Sequence, residues 1–172
     1  MIRLQFVTEA GFTSALIRWF GGDIGWSHVD AVLPDDDPDH PGWLLGARSE
    51  RDCTPDELYV CEPGVQIRPP RYARFTDRAV IELPASAEET DRFYAILKRQ
   101  VGKPYSAETI EGLLIGRDLD DHQAWICDAL QAWCACEAGI LPRQLFRYIR
   151  RLTPNSLYLI CLTACALRGE RT

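Results

Sequence analysis

Apart from one short helix-like stretch at residues 13–20, the hydrophobic pattern changes period near residue 86. Before that point apolar residues alternate with polar ones in short runs, and after it they recur every three or four positions. A period of two puts alternate side chains on opposite faces of a strand, and a period near 3.6 stripes one side of a helix. That change predicts an antiparallel sheet mainly from the first half of the chain and helices, segregated from it, mainly from the second: an α+β fold. At 172 residues the chain is long enough for one well-formed core and too short for two ordinary domains, so residues 1–172 read as one domain.

Strands are predicted over residues 2–7, 26–33, 43–48, 65–68 and 79–83. The second and third are joined by the polar turn Pro34-Asp35-Asp36-Asp37-Pro38 and should pair as an antiparallel hairpin. Residues 49–63 read as loop, and residues 13–20 as a short helix ended by Gly21-Gly22. Ser86 followed by Glu89 forms a capping box that opens a helix with Phe93, Ile96, Leu97 and Val101 as its stripe, stopped by Gly102 and Pro104. A second helix is predicted over residues 123–138, with Ile126, Leu130, Trp133 and Cys134 on its apolar face and Gly139 closing it. Thr153 before Pro154 is an N-cap with proline at the first helical position; beyond it the pattern fits helix or strand.

The net charge of −6 argues against a nucleic-acid partner, which needs clustered cations to neutralise phosphate. The one basic run, Arg143, Arg147, Arg150 and Arg151, reads as a solvated helix face. The first residues lack the apolar core of an export signal, and no stretch is long enough for an integral membrane segment, which points to the cytoplasm. Seven cysteines, an odd number, in a reducing compartment argue against a disulfide framework. Cys134 and Cys136 point in different directions on a helix. Cys161 and Cys165 share a face without a second pair, so no metal site is expected. Cys53 and Cys61 fall in the loop, and no glycine-rich phosphate cradle precedes a helix, so no cofactor is expected either.

Cys127 differs from the other thiols by position. It lies in the first turn of a predicted helix, where free amides and the dipole favour an anion and hence the reactive thiolate. Of the three histidines, His40 lies in a proline-rich turn and His122 just before that helix; His28 is the one on a strand, with Asp30 and Val32 on the same face. That makes His28 the candidate base for Cys127.

The motifs Ser27-His28-Val29, Gly46-Ala47-Arg48, Gly64-Val65, Gly102-Lys103-Pro104-Tyr105, Trp125-Ile126-Cys127 and Thr153-Pro154 with Leu157, in this order, resemble the circularly permuted papain-like hydrolases. This is the NlpC-related group that includes YiiX-like proteins and lecithin–retinol acyltransferase-like enzymes. The resemblance spans residues 28–157 and implies a cysteine-bearing helix packed on an antiparallel sheet that carries the histidine. It implies Cys127 as nucleophile, His28 as base and Tyr105 near the site; with Trp125 and Trp26, Tyr105 would wall the substrate cleft. Family members often follow the nucleophile with Ser-Glu, where this chain has Asp128-Ala129. The family's polar third member would fall near Gly46, which has no side chain, leaving its role to Asp30, Arg48, Glu50, a backbone carbonyl or water. The implied activity is a thiol amidase or peptidase, or an acyltransferase, on a peptide, amide or acyl-lipid substrate. The alternative is an inactive papain-like binding module. Partner proteins are not indicated.

Overall fold

The computed structural model describes residues 1–9, 25–50, 52–53, 60–106 and 124–169. The helix expected over residues 13–20 and His122 lie outside them. No helix of the described residues is long and apolar enough to cross a membrane.

The sheet comprises β1 (Ile2–Glu9), β2 (His28–Val32), β3 (Leu44–Arg48), β6 (Gly64–Arg68) and β7 (Phe75–Leu83), in the order β6-β3-β2-β1-β7. Every neighbour is antiparallel. The expected hairpin is β2–β3, but its strands are shorter than the alternation suggests, because Trp26 and Trp43 lie before the ladder begins. β7 starts earlier than expected, at Phe75, since pairing with β1 carries through polar residues 76–78. Within the segment read as loop, β4 (Asp52–Cys53) and β5 (Val60–Cys61) form a small two-stranded ladder of their own.

Alternation separates two layers. Leu4 and Phe6 of β1, Val29 and Ala31 of β2, and Leu45 and Ala47 of β3 face the helices and form the main core. The other face carries Gln5, His28, Asp30, Leu44 and Arg48, together with a smaller apolar cluster of Leu44, Cys61 and Tyr72.

Helix α1 (Ala87–Lys98) begins at the expected capping box: Ser86 Oγ accepts from the Glu89 amide, and the Glu89 side chain accepts from the Ser86 amide. Helix α2 is Cys127–Ala138, closed by Gly139 in the left-handed region at φ 87°. Ten of its twelve residues are buried, so it is an interior helix wedged between α1, the sheet and α3. Helix α3 (Pro154–Gly169) settles the C-terminal pattern as helix, with Thr153 Oγ1 accepting from the Ser156 amide at 3.2 Å. The basic run is not an α-helical face. It forms two 3-10 turns, Arg143–Arg147 and Ile149–Arg151, with Arg143, Arg147 and Arg151 exposed.

Candidate active site

The turn after α1 aligns the chain for the start of α2. Val65 and residues 102–103 exchange backbone hydrogen bonds, Val65 N to Lys103 O and Gly102 N to Val65 O, each 2.9 Å. Gly64 permits this approach: at φ 106°, a Cβ on it would lie 2.6 Å from the Lys103 carbonyl oxygen. Tyr105 then pairs with Trp125, the Trp125 amide donating to Pro104 O at 3.1 Å and the Ser106 amide to Trp125 O at 3.0 Å. Three of the motifs quoted above are thereby interlocked. Because Trp125 is bridged in this way and Ile126 is extended at φ −103°, ψ 161°, the helix starts at Cys127 and not at residue 123 as expected. Ile126 is its cap residue.

Cys127 is the first residue of α2 and is buried. It belongs to the layer that contains Val29 and Ala47. The β2–β3 ladder runs only through Ala31–Leu45 and Val32–Leu44, and the Val29 amide, beyond its end, hydrogen-bonds the sulfur. The expectation of a stabilised thiolate is overturned. Burial pushes the thiol well up, the Asp128 charge adds to this, and the Val29 amide offsets only part of it. Asp128 Oδ1 lies 3.7 Å from the sulfur that donates to it. Burial raises the Asp128 carboxyl to about 7, against the pull of its own amide and that of Ala129.

His28 and Asp30 share the opposite face of β2. Nε2 of His28 lies 2.9 Å from Asp30 Oδ1, with both side chains buried. The contact is an ion pair by distance and not an aligned hydrogen bond, since neither atom has a hydrogen-bond partner. Extending the Ala31–Leu45 register places Asp30 across from Gly46. A Cβ on Gly46 would fall 2.0 Å from Asp30 Oδ1, so the carboxylate fills the space that a side chain at Gly46 would take. Burial opposes ionisation of Asp30, but His28, Arg68 and the Tyr72 hydroxyl outweigh it and hold the carboxyl at about 2. The Tyr72 hydroxyl donates to Asp30 Oδ2 at 2.7 Å and accepts from Arg48 at 3.1 Å. Arg48 in turn grips both oxygens of Glu9 at 2.6 and 2.8 Å.

The structure thus brings His28 to Asp30, and Cys127 to Asp128, Tyr105 and the amide next to His28. Among the described residues no hydrogen bond joins the sulfur to the imidazole. The aromatic residues are committed. Trp26 packs against Phe6 and Tyr158, and Trp125 packs on Trp133, its indole N–H donating to Gln100 at 3.2 Å. Tyr72, Glu9 and Asn155, which accepts the Trp26 amide at 3.0 Å, escaped the sequence reading. Tyr72 lies in a connection and is 42 residues from Asp30, so no local pattern marks it.

No family model matches the chain, and no curated protein or solved structure matches it.

Proposed function

We propose that this protein is a thiol-dependent acyl-transfer enzyme of the permuted papain-like type, an amidase, peptidase or acyltransferase. Cys127 is the nucleophile, and His28, oriented by Asp30, is the acid–base partner. The observation that carries this reading is the filled space over Gly46. The position of the missing third side chain is taken by the Asp30 carboxylate, 2.9 Å from the imidazole. An ionised carboxylate held beside the ring supplies the anionic neighbour that a third member serves as. Cys127 supports the reading by its place at a helix tip, where its own backbone N–H is the donor offered to a developing oxyanion; losing one such donor typically costs about 3 kcal/mol. The attacking sulfur forms an acyl-enzyme, His28 protonates the leaving group, and water or a bound alcohol or amine then takes the acyl group.

The test uses an electrophilic acyl probe with peptide mapping of all seven cysteines. Cys127 is expected to be modified first in the native protein, and Cys127→Ala and His28→Ala to suppress that modification. Modification of Cys127 no faster than of the other buried thiols, and indifferent to His28→Ala, overturns the proposal.

A second reading, a non-catalytic binding module, is favoured by a different observation. The sulfur is buried at 4% exposure, its thiol is pushed well up, and no hydrogen bond joins it to His28 among the described residues. That reading expects Cys127 to stay inert toward acyl probes until the protein unfolds.

A further inference from the structure

We propose that Asp128 is a further catalytic residue, the group that takes the Cys127 thiol proton as the sulfur attacks its substrate. The inference rests on the acyl-transfer reading above and moves its first proton transfer, from the thiol, onto Asp128, leaving to His28 the later protonation of the leaving group. A nucleophilic thiol needs a proton acceptor within reach of the sulfur. His28 makes no hydrogen bond to it; the side-chain acceptor recorded on Cys127 is Asp128 Oδ1, at 3.7 Å.

The carboxyl is equipped for this. It is 2% exposed, so water does not compete for it. Its Oδ2 has no partner among the described residues, which leaves one oxygen able to receive or hand on a proton. The amides of Asp128 and Ala129 hold the group at the helix tip. Burial brings the carboxyl to about 7, where a general base combines availability with driving force at neutral pH. The thiol itself is driven well up, so preformed thiolate is scarce and the proton must leave as the new bond forms. In that step the S–H bond breaks, its proton passes to Asp128 Oδ1, the sulfur pair forms the S–C bond, and the carbonyl π pair moves onto oxygen. Collapse of the tetrahedral intermediate expels the leaving group, which takes up a proton from His28.

The opposite role is that of a brake. An ionised Asp128 raises the thiol and keeps it unreactive, and its neighbours Asp30 on β2 and Tyr105 ahead of α2, the latter also sensing Arg48 and Glu50, act on the same pair. Base and brake differ in sign, so one substitution separates them. Full-length wild type, Asp128→Asn, Asp128→Glu and Cys127→Ala are treated with p-nitrophenyl acetate. Nitrophenolate release and the acetyl adduct on Cys127 are followed in water and in deuterium oxide. Iodoacetamide alkylation of Cys127 at alkaline pH, which uses thiolate already formed, is measured in parallel. Asp128→Asn is expected to slow acetylation roughly 100-fold, to lose the solvent isotope effect, and to leave alkaline alkylation as fast or faster. Asp128→Glu, which keeps a carboxyl and guards against a misfolded amide variant, is expected to retain acetylation within about tenfold of wild type. Acetylation of Asp128→Asn at or above the wild-type rate overturns the base and establishes the brake. Acetylation of Asp128→Glu as slow as that of Asp128→Asn also counts against it. The underlying reading fails separately, if Cys127→Ala releases nitrophenolate as fast as wild type or if Cys127 carries no acetyl group in any variant.

Discussion

Two buried aspartates flank the candidate residues, Asp30 on β2 at 1% exposure and Asp128 in the first turn of α2 at 2%. Burial penalises the charge of both, yet Asp30 is held at about 2 while Asp128 is raised to about 7. The difference lies in the partners. Asp30 meets His28, Arg68 and the Tyr72 hydroxyl, all of which favour the anion. Asp128 meets two helix-tip amides and a thiol, and these do not offset its desolvation. Asp30 is therefore a permanent charge suited to holding an imidazole, and Asp128 a group able to gain and lose a proton near neutrality.

The comparison breaks most directly at Asp30. Asp30→Ala leaves His28, Tyr72 and Arg68 buried around a lost charge and is expected to cost about 3–5 kcal/mol in urea unfolding at neutral pH. In wild type, a carboxyl lowered from 3.8 to about 2 contributes stability that is full above pH ~4 and lost as pH falls toward 2. The cost of the substitution should shrink over that window, and a constant cost would show that the charge of Asp30 does not matter.

Asp128 has the reverse sign. Its carboxyl is raised from 3.8 to about 7, so the folded protein holds a proton that the unfolded chain has already released. Stability is lost as pH climbs from about 4 to 7, with a ceiling on the order of 4 kcal/mol. Asp128→Asn should be stabilised relative to wild type at pH ~8 and gain little at pH ~4, as measured by thermal unfolding. Equal gains at both values would mean that the carboxyl does not titrate between them.

Gly46→Ala tests the space that Asp30 fills. A Cβ there meets Oδ1 at 2.0 Å, and the overpacking is expected to cost on the order of 3 kcal/mol. In an Asp30→Gly background the same change should be nearly free. A coupling near zero in this double-mutant cycle would mean that the two positions do not share the space.

Much of this contrast escaped the sequence. The helix-opening box at Ser86, the Gly139 stop and the Thr153 cap were legible because each is a local arrangement of two or three residues. The start of α2 was not, because the Tyr105–Trp125 bridge that holds residue 125 out of the helix joins segments 20 residues apart. The empty side chain at Gly46 was visible, but its occupant depends on strand register, which sets Asp30 opposite. The thiolate expectation failed for a related reason. A helix tip favours an anion wherever it lies, but burial and an adjacent carboxyl overrule it here, and burial is a property of the assembled core. Which face of β2 carries charge was readable from alternation. That α2 packs against the other face was not.

The mildest change probes whether the Asp30 side acts as a connected unit. In Tyr72→Phe the hydroxyl that donates to Asp30 Oδ2 at 2.7 Å and accepts from Arg48 at 3.1 Å is gone, while the ring stays to pack against Phe75 and the Leu44 cluster. The expected cost is about 1.5 kcal/mol at neutral pH, typical of a hydrogen bond to a charged group. Because the hydroxyl helps to lower Asp30, its removal should also raise that carboxyl from about 2 toward its ordinary value, so the acid limb of unfolding moves to higher pH and the cost of the substitution falls as Asp30 is protonated. Tyr72 is not among the groups that shift Asp128, so the neutral-pH limb should stay in place. A movement of both limbs together would mean that the two carboxyls titrate as a coupled pair, and their separate assignment would have to be abandoned.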